Sequence, residues 1–167
     1  MKSHTLINPN SFLLILILAL TFLSCKKDDD NGGGNNSASE FLSASIDGVS
    51  FSATELTIAG TLSGTIWVVQ GGTSTGNTIR LTVQNYTGPG TYYFGGITNT
   101  NTGTYIADPL TNPLGWTSFG TADNSGSVVI QSDNGTVTEG TFNFEAIGGT
   151  PLTTKLITNG TFKANYE

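Results

Sequence analysis

The sequence predicts an all-β domain, an antiparallel β-sandwich of about nine strands, with a closed β-barrel as the alternative. Three features of residues 41–167 lead to this prediction. Thr, Ser, Val, Ile and aromatic residues dominate the composition, apolar and polar residues alternate with a period of two, and turn residues recur roughly every ten positions. No window has the periodicity of an amphipathic helix, so the domain is expected to consist of strands.

The first two strands are predicted to form a hairpin. Apolar residues and serines alternate over residues 41–46, and the return strand covers residues 49–53. Between them, Asp47-Gly48 provides the residue types that a tight two-residue turn requires. The alternation directs Leu42, Ala44, Ile46 and Phe51 toward the core.

The central part of the chain supplies three further strands. Residues 66–69 are apolar at every position, including Trp67, which predicts a strand that is buried on both faces or lies at a sheet junction. Residues 79–84 alternate and predict a half-buried strand. Residues 91–94 place Tyr93 on the face opposite to its aromatic neighbours. The stretch 95–115 that follows is read as a long irregular connection with little strand beyond 105–107.

The C-terminal third contains two Asn-Gly pairs, each predicted to be a hairpin turn. Asn134-Gly135 joins a strand at 128–130 to a return strand that directs Phe142, Phe144 and Ala146 inward. Asn159-Gly160 is expected to fold residues 156–157 back onto residues 162–166.

The N-terminus has the pattern of an export signal. Residues 12–23 are apolar except for Thr21, a run too short to cross a bilayer core of ~30 Å. Residues 1–24 are therefore predicted to be a signal peptide. The sequence Leu23-Ser24-Cys25 resembles the lipobox of bacterial lipoproteins, which implies that Cys25 becomes the lipidated first residue.

Charged residues follow directly after this cysteine. The cluster Lys26, Lys27, Asp28, Asp29 and Asp30 resembles the surface-export signal of lipoproteins from Bacteroidota. This resemblance implies delivery to the outer membrane with the domain facing the cell exterior. Residues 25–40 are the lipidated cysteine and a Gly, Asn and Ser tether, since this composition cannot bury a core. Residues 41–167 are the folded domain.

Charge and residue inventory exclude several functions. The formal net charge is -6, so no nucleic-acid partner is expected. The chain has one cysteine and one histidine. If the leader is cleaved and Cys25 lipidated, as the lipobox resemblance implies, His4 is removed and the mature protein is expected to lack histidine triads and His or Cys metal sites. No metal, no cofactor and no catalytic residue are predicted.

The carboxylates do not form an evident catalytic pair. Glu139 and Glu145 share a strand face, but six residues of strand separate their Cα atoms by about 20 Å, which exceeds the spacing in glycosidases. Asp123 and Asp133 lie in Asx-type turn sequences. The domain is therefore predicted not to be an enzyme.

Three aromatic residues are the candidate ligand-binding residues. Tyr93 faces away from its neighbours, and Tyr105 and Trp116 lie in or directly after the long connection. An aromatic ring offers the apolar face of a sugar a surface for stacking. The alternative is that Trp116 closes the open end of the sandwich.

Four segments together resemble a known group of proteins: IDGVSFSA, GPGTYYF, GSVVIQSDNGTVTEGTFNFEA and ITNGTF. They are similar to small β-rich lipoproteins of unknown function from Bacteroidota. The resemblance implies fold and localisation and assigns no catalytic residue. The sequence thus predicts a binding module for glycans or a surface protein, held at the membrane by its lipid anchor. The alternative is a structural or accessory subunit of a cell-surface assembly, with an edge strand available for pairing.

Overall fold

The computed structural model describes residues 39–107 and 114–167, and the predicted leader, Cys25 and its charged cluster lie outside these ranges. The described chain consists of strands and one short 3-10 turn, Glu55–Thr57. No helix in these ranges is long and apolar enough to cross a membrane. The strands are β1 (Phe41–Ile46), β2 (Val49–Ser52), β3 (Ala59–Ser63), β4 (Ile66–Gly72), β5 (Thr78–Val83), β6 (Gly90–Phe94), β7 (Thr102–Ala107), β8 (Leu114–Thr117), β9 (Gly126–Asp133), β10 (Val137–Gly148) and β11 (Thr153–Asn165).

The eleven strands form one antiparallel sheet that curls around the core. Its main order is β2-β1-β11-β10-β8-β7-β5-β4-β3, and β9 and β6 extend from β10. The long strand β10 pairs with β9 over residues 138–144 and with β8 at Ile147 and Gly148. This change of partner divides the sheet into two parts that face each other. An isolated parallel bridge between Gly60 and Tyr166 also joins β3 to the residue after β11.

This architecture confirms the all-β prediction, and it is compatible with a sandwich or a barrel. Side chains from both parts of the sheet meet in the core: the Trp67 ring of β4 lies 5.5 Å from the Phe162 ring of β11. Trp67 is fully buried. Its one polar group is satisfied there, because Nε1 donates a hydrogen bond to Thr138 Oγ1 (3.3 Å). The inward positions predicted from alternation are buried, namely Leu42, Ala44, Ile46, Phe51, Ile79, Leu81, Val83, Phe142, Phe144 and Ala146.

Two strands were missing from the predicted set of about nine. Strand β3 follows the 3-10 turn. Strand β8 begins at the end of the stretch 95–115, which was interpreted as irregular apart from 105–107 and which also contains the whole of β7. That interpretation was wrong because β7 and β8 are short and rich in Thr and Gly. They pair with each other, β7 also pairs with β5, and each buries one aromatic residue, Tyr105 or Trp116, in the core. The prediction that 66–69 is buried on both faces was also wrong, since Ile66 is 41% exposed.

The two Asn-Gly predictions had different outcomes. Asn134-Gly135 does join β9 to β10, but only Gly135 has a positive φ (79°), and Asn134 Oδ1 accepts hydrogen bonds from the backbone of Thr136 and Val137. Asn159-Gly160 is not a hairpin turn. It lies inside β11 as a bulge, with Asn159 at φ 52°, while β11 continues along both β1 and β10.

Candidate functional site

A cleft opens beside the β1–β2 turn and the first residues of β11. Its volume is about 300 Å³, and it is bordered by β1, β2, the β4–β5 connection, β7 and β11. The lining residues are Ile46, Asp47, Val49, Ser50, Phe51, Thr73, Asn77, Tyr105 and Lys155. Asp47 is the carboxylate of this set and Lys155 is its cation.

The turn residue Asp47 is held firmly against β11. Asp47 and Gly48 both have positive φ (51° and 84°), as a two-residue hairpin turn requires. The Asp47 carboxylate accepts hydrogen bonds from Lys155 Nζ (2.7 Å) and from the Leu156 N–H (2.8 Å). The Leu156 hydrogen bond, and next the one from Lys155, lowers the pKa of Asp47. Asp47 is therefore ionised at neutral pH and forms one side of a charge pair at the cleft.

Lys155 connects this pair to the aromatic residues beneath the cleft. Its Nζ lies 5.5 Å from the centroid of the Trp116 ring, within cation–π range. The Lys155 side chain is 30% exposed and the Asp47 side chain 41% exposed. Both charged groups are therefore accessible from solvent, and each has a second partner within the protein.

Tyr105 lines the cleft, and Trp116 packs against it from within the core. Their rings stack with centroids 5.7 Å apart and an interplanar angle of 26°, and Trp116 Nε1 donates to Thr153 Oγ1 at 2.9 Å. Tyr105 is 8% exposed and Trp116 is 5% exposed. Burial raises the pKa of Tyr105, so its phenol stays neutral at physiological pH.

The third predicted aromatic residue lies elsewhere. Tyr93 is 54% exposed on the outer face of β6 and does not line the cleft. Its backbone oxygen accepts hydrogen bonds from the side chains of Asn99 (2.7 Å) and Asn101 (3.2 Å). The structure thus places Tyr105 beside Trp116 and leaves Tyr93 on a separate surface.

Sequence reasoning did not identify Asp47 and Lys155 as site residues. Asp47 was read only as a turn former, and Lys155 had no local pattern to distinguish it. The two residues are 108 positions apart, and they meet because β1 pairs with β11. The available signal was that Lys155 is one of only three basic residues in the folded domain.

A second polar cluster lies around Asp133, and its role is structural. Tyr86 and Tyr166 donate hydrogen bonds to Asp133 Oδ2 at 2.5 and 2.6 Å, and the Gly135 N–H donates to Oδ1 at 2.9 Å. Burial raises the pKa of Asp133, but the three hydrogen bonds outweigh this effect and lower it. Burial, followed by the hydrogen bond to Asp133, raises the pKa of Tyr86 and of Tyr166. Both carboxylate oxygens accept hydrogen bonds, and the one from Tyr166 links the C-terminal residues to the β9–β10 hairpin.

The chain enters the domain far from the cleft. Glu40 Oε1 accepts a hydrogen bond from the Asn165 N–H (2.6 Å) at the end of β11, whereas the cleft lies at the start of that strand. Strand β1 has six residues, which at ~3.3 Å per residue separates the two ends by about 20 Å. In the described ranges no group of three or more His, Cys, Asp or Glu side chains is placed to hold a metal ion.

Comparison with known proteins places the chain in a family without assigning it an activity. No curated protein and no solved structure matches the sequence. One family model does match, and it covers residues 38–164, the whole of the β domain apart from its last three residues. The chain therefore belongs to the family described as "Domain of unknown function (DUF6252)".

Proposed function

We propose that this protein is an outer-membrane lipoprotein, anchored through Cys25 and facing the cell exterior, whose β domain is a non-catalytic binding module for glycans. The observation that carries the proposal is the cleft beside the β1–β2 turn. It combines a volume of about 300 Å³ with hydroxyl, amide, ammonium and carboxylate groups and two aromatic residues, Phe51 and Tyr105. This mixture of groups suits a sugar, which presents many hydroxyls and a small apolar face.

The charge pair at the cleft gives this site its hydrogen-bonding capacity. A sugar hydroxyl both donates and accepts, so it can accept from Lys155 Nζ and donate to an Asp47 oxygen at the same time. Both side chains are partly exposed, and Asp47 keeps its bond from Leu156 when a ligand approaches. The neutral Tyr105 phenol adds a further donor. The set is preformed, which reduces the entropic cost of binding.

The position of the cleft supports a role at the cell surface. The chain joins the domain at Glu40, at the opposite end of β1 from the cleft. The point where the chain joins the domain therefore does not cover the cleft.

Thermal unfolding against a panel of neutral oligosaccharides and host glycoproteins tests the binding function. A ligand at 100 times its Kd adds about 2.7 kcal/mol of stability, a shift of several degrees in Tm. Lys155→Gln should abolish the shift, and Lys163→Gln is the matched control because Lys163 pairs with Glu139 instead. No shift with any member of the panel, or an equal shift in the Lys155 variant, contradicts a glycan site at the cleft.

The lipid anchor is tested separately. Growth of the producing bacterium with a labelled fatty acid should label the wild-type protein and not the Cys25→Ser variant. Protease added to intact cells should degrade a protein that faces the exterior. A labelled Cys25→Ser variant, or a protein protected from protease until the cells are lysed, would contradict this part of the proposal.

A second candidate function is an accessory subunit of a surface assembly, and an exposed apolar pair favours it. Ile97 is 76% exposed and Phe119 is 50% exposed. Their loops are joined by the Gly120 N–H, which donates to Gly96 O at 3.1 Å. Cross-linking on intact cells should then capture a neighbour that Phe119→Ser no longer captures. Capture that is unchanged in this variant would argue against that role for the pair.

A further inference from the structure

Arg80 lies in the middle of a polar sheet face that the cleft does not use. It is exposed on β5, while its neighbours Ile79 and Leu81 are fully buried on the other face. In the sheet, Arg80 is the register partner of Gln70 on β4 and of Thr104 on β7. Side chains at such cross-strand positions have Cβ atoms ~5 Å apart. Arg80 therefore has an amide on one side and a hydroxyl on the other.

A shallow groove of about 400 Å³ surrounds this arginine. Polar residues make up most of its lining, namely Gln70, Thr78, Arg80, Thr82, Thr102 and Thr104. Thr82 and Thr102 are register partners, so they form a second row parallel to the Gln70, Arg80 and Thr104 row. The groove is a surface of hydroxyl and amide groups with one guanidinium at its centre.

Arg80 is the basic side chain in the described part of the chain that has no carboxylate partner there. Lys155 pairs with Asp47 at 2.7 Å and Lys163 with Glu139 at 3.7 Å. A guanidinium presents five N–H donors in a planar fork that matches a carboxylate. The groove thus offers an anionic group a guanidinium that has no carboxylate partner among the described residues, and it offers hydroxyl and amide groups to the rest of the ligand.

The position of β5 within the sheet indicates which kind of carboxylate ligand fits. Strand β5 pairs with β4 on one side and β7 on the other, so its backbone groups are already used. An extended peptide that adds to a sheet needs a free strand edge, and this groove has none. A polysaccharide is instead bound by side-chain hydrogen bonds to its hydroxyls, which the threonines and Gln70 can form.

We propose that the groove around Arg80 binds a carboxylated glycan, with the guanidinium pairing to a uronate carboxylate and the threonine rows contacting the sugar hydroxyls. This site is separate from the cleft, because Tyr105 faces inward while Thr104 faces outward on the same strand. The proposal therefore does not depend on the glycan function of the cleft.

Isothermal titration of the purified full chain tests this site with tetragalacturonate and tetraglucuronate. The fully methyl-esterified tetragalacturonate is the ligand control, because it keeps the sugar chain and removes its charge. We expect at least one of the two acids to bind, its affinity to fall as salt rises, and the ester to bind at least tenfold more weakly. Arg80→Gln should weaken binding of the acid at least tenfold without changing Tm, since the side chain is exposed.

Two further variants separate this site from the cleft. Lys163→Gln removes another, partly exposed, positive charge and should leave uronate binding unchanged, which excludes a general charge effect. Lys155→Gln should also leave it unchanged, so failure of the cleft proposal and failure of this one are distinguishable. Absence of binding by both acids, equal binding of acid and ester, or full affinity in Arg80→Gln would each overturn the proposal. Tighter binding of an acidic peptide than of either acid would overturn it in favour of a protein ligand.

Discussion

Trp116 is a buried aromatic residue with three kinds of contact. Its ring stacks on Tyr105, its Nε1 hydrogen-bonds to Thr153, and Lys155 Nζ lies 5.5 Å from its centroid. With 5% exposure, the residue supports the cleft from below and does not present a ring face to solvent.

Replacing Trp116 should therefore affect stability before it affects binding. Trp116→Ala removes a buried indole, and such changes cost about 3–5 kcal/mol. Trp116→Phe keeps part of the stack and should cost less, and Tyr93→Ala on the exposed face of β6 is the matched aromatic control. Urea unfolding measures all three. A loss for Trp116→Ala no larger than that for Tyr93→Ala would contradict the buried role.

Asp133 provides a pH dependence whose direction follows from its hydrogen bonds. Its pKa is lowered in the folded state, so the unfolded state binds more protons between the two pKa values. The stabilisation is fully present above the unfolded pKa of ~3.9 and is lost as the pH falls through the folded pKa. Asp133→Asn should flatten the stability of the protein between pH 6 and 2 relative to wild type. Equal acid sensitivity in wild type and variant would contradict this assignment.

At the scale of secondary-structure elements, β11 depends on a bulge that brings backbone close to a ring. The bulge at Asn159 and Gly160 shifts the register against both β1 and β10. A Cβ placed on Gly160 would lie 2.5 Å from the Phe142 ring. Glycine is thus required at position 160 for space, whereas position 159 requires a residue that tolerates positive φ.

This arrangement predicts different effects on stability for two substitutions in the bulge. Gly160→Ala should destabilise the domain by about 1–3 kcal/mol, because the new methyl group displaces a buried ring. Asn159→Gly should be close to neutral, since glycine adopts positive φ without strain. Thermal unfolding by circular dichroism compares the two. A Gly160→Ala variant as stable as Asn159→Gly would contradict the close packing on Phe142.

The same bulge shows where sequence-based prediction ends. Alternation identified the buried face of β1, β5 and β10, because side-chain period and burial are directly linked. An Asn-Gly pair, however, is compatible with any backbone position that needs positive φ. Whether Asn159-Gly160 forms a hairpin turn or a bulge depends on the strands that pair with β11. Likewise, the short strands β7 and β8 lack a clear alternation and were recognised only through their pairing in the sheet. Tyr105 and Trp116 were predicted as site residues, but Asp47 and Lys155 were not, because long-range strand pairing brings them together.

In the whole domain, the residue at which the chain enters and the cleft lie at opposite ends of β11. Residue 40 and the C-terminus meet at one end of β11, and the Asp47–Lys155 pair lies at the other. The first end is stabilised by the hydrogen bonds that Tyr86 and Tyr166 donate to Asp133. A binding module with this arrangement should need little rearrangement on binding.

Amide chemical-shift mapping tests the cleft most directly. The protein is titrated with neutral gluco-, xylo- and mannooligosaccharides, and shifts are followed for each backbone N–H. A bound oligosaccharide should shift the amide signals of Ser50, Asn77 and Lys155, and Lys155→Gln should remove these shifts while Lys163→Gln keeps them. No saturable shifts with any of the three series, or shifts confined to residues outside the cleft, would contradict the central claim.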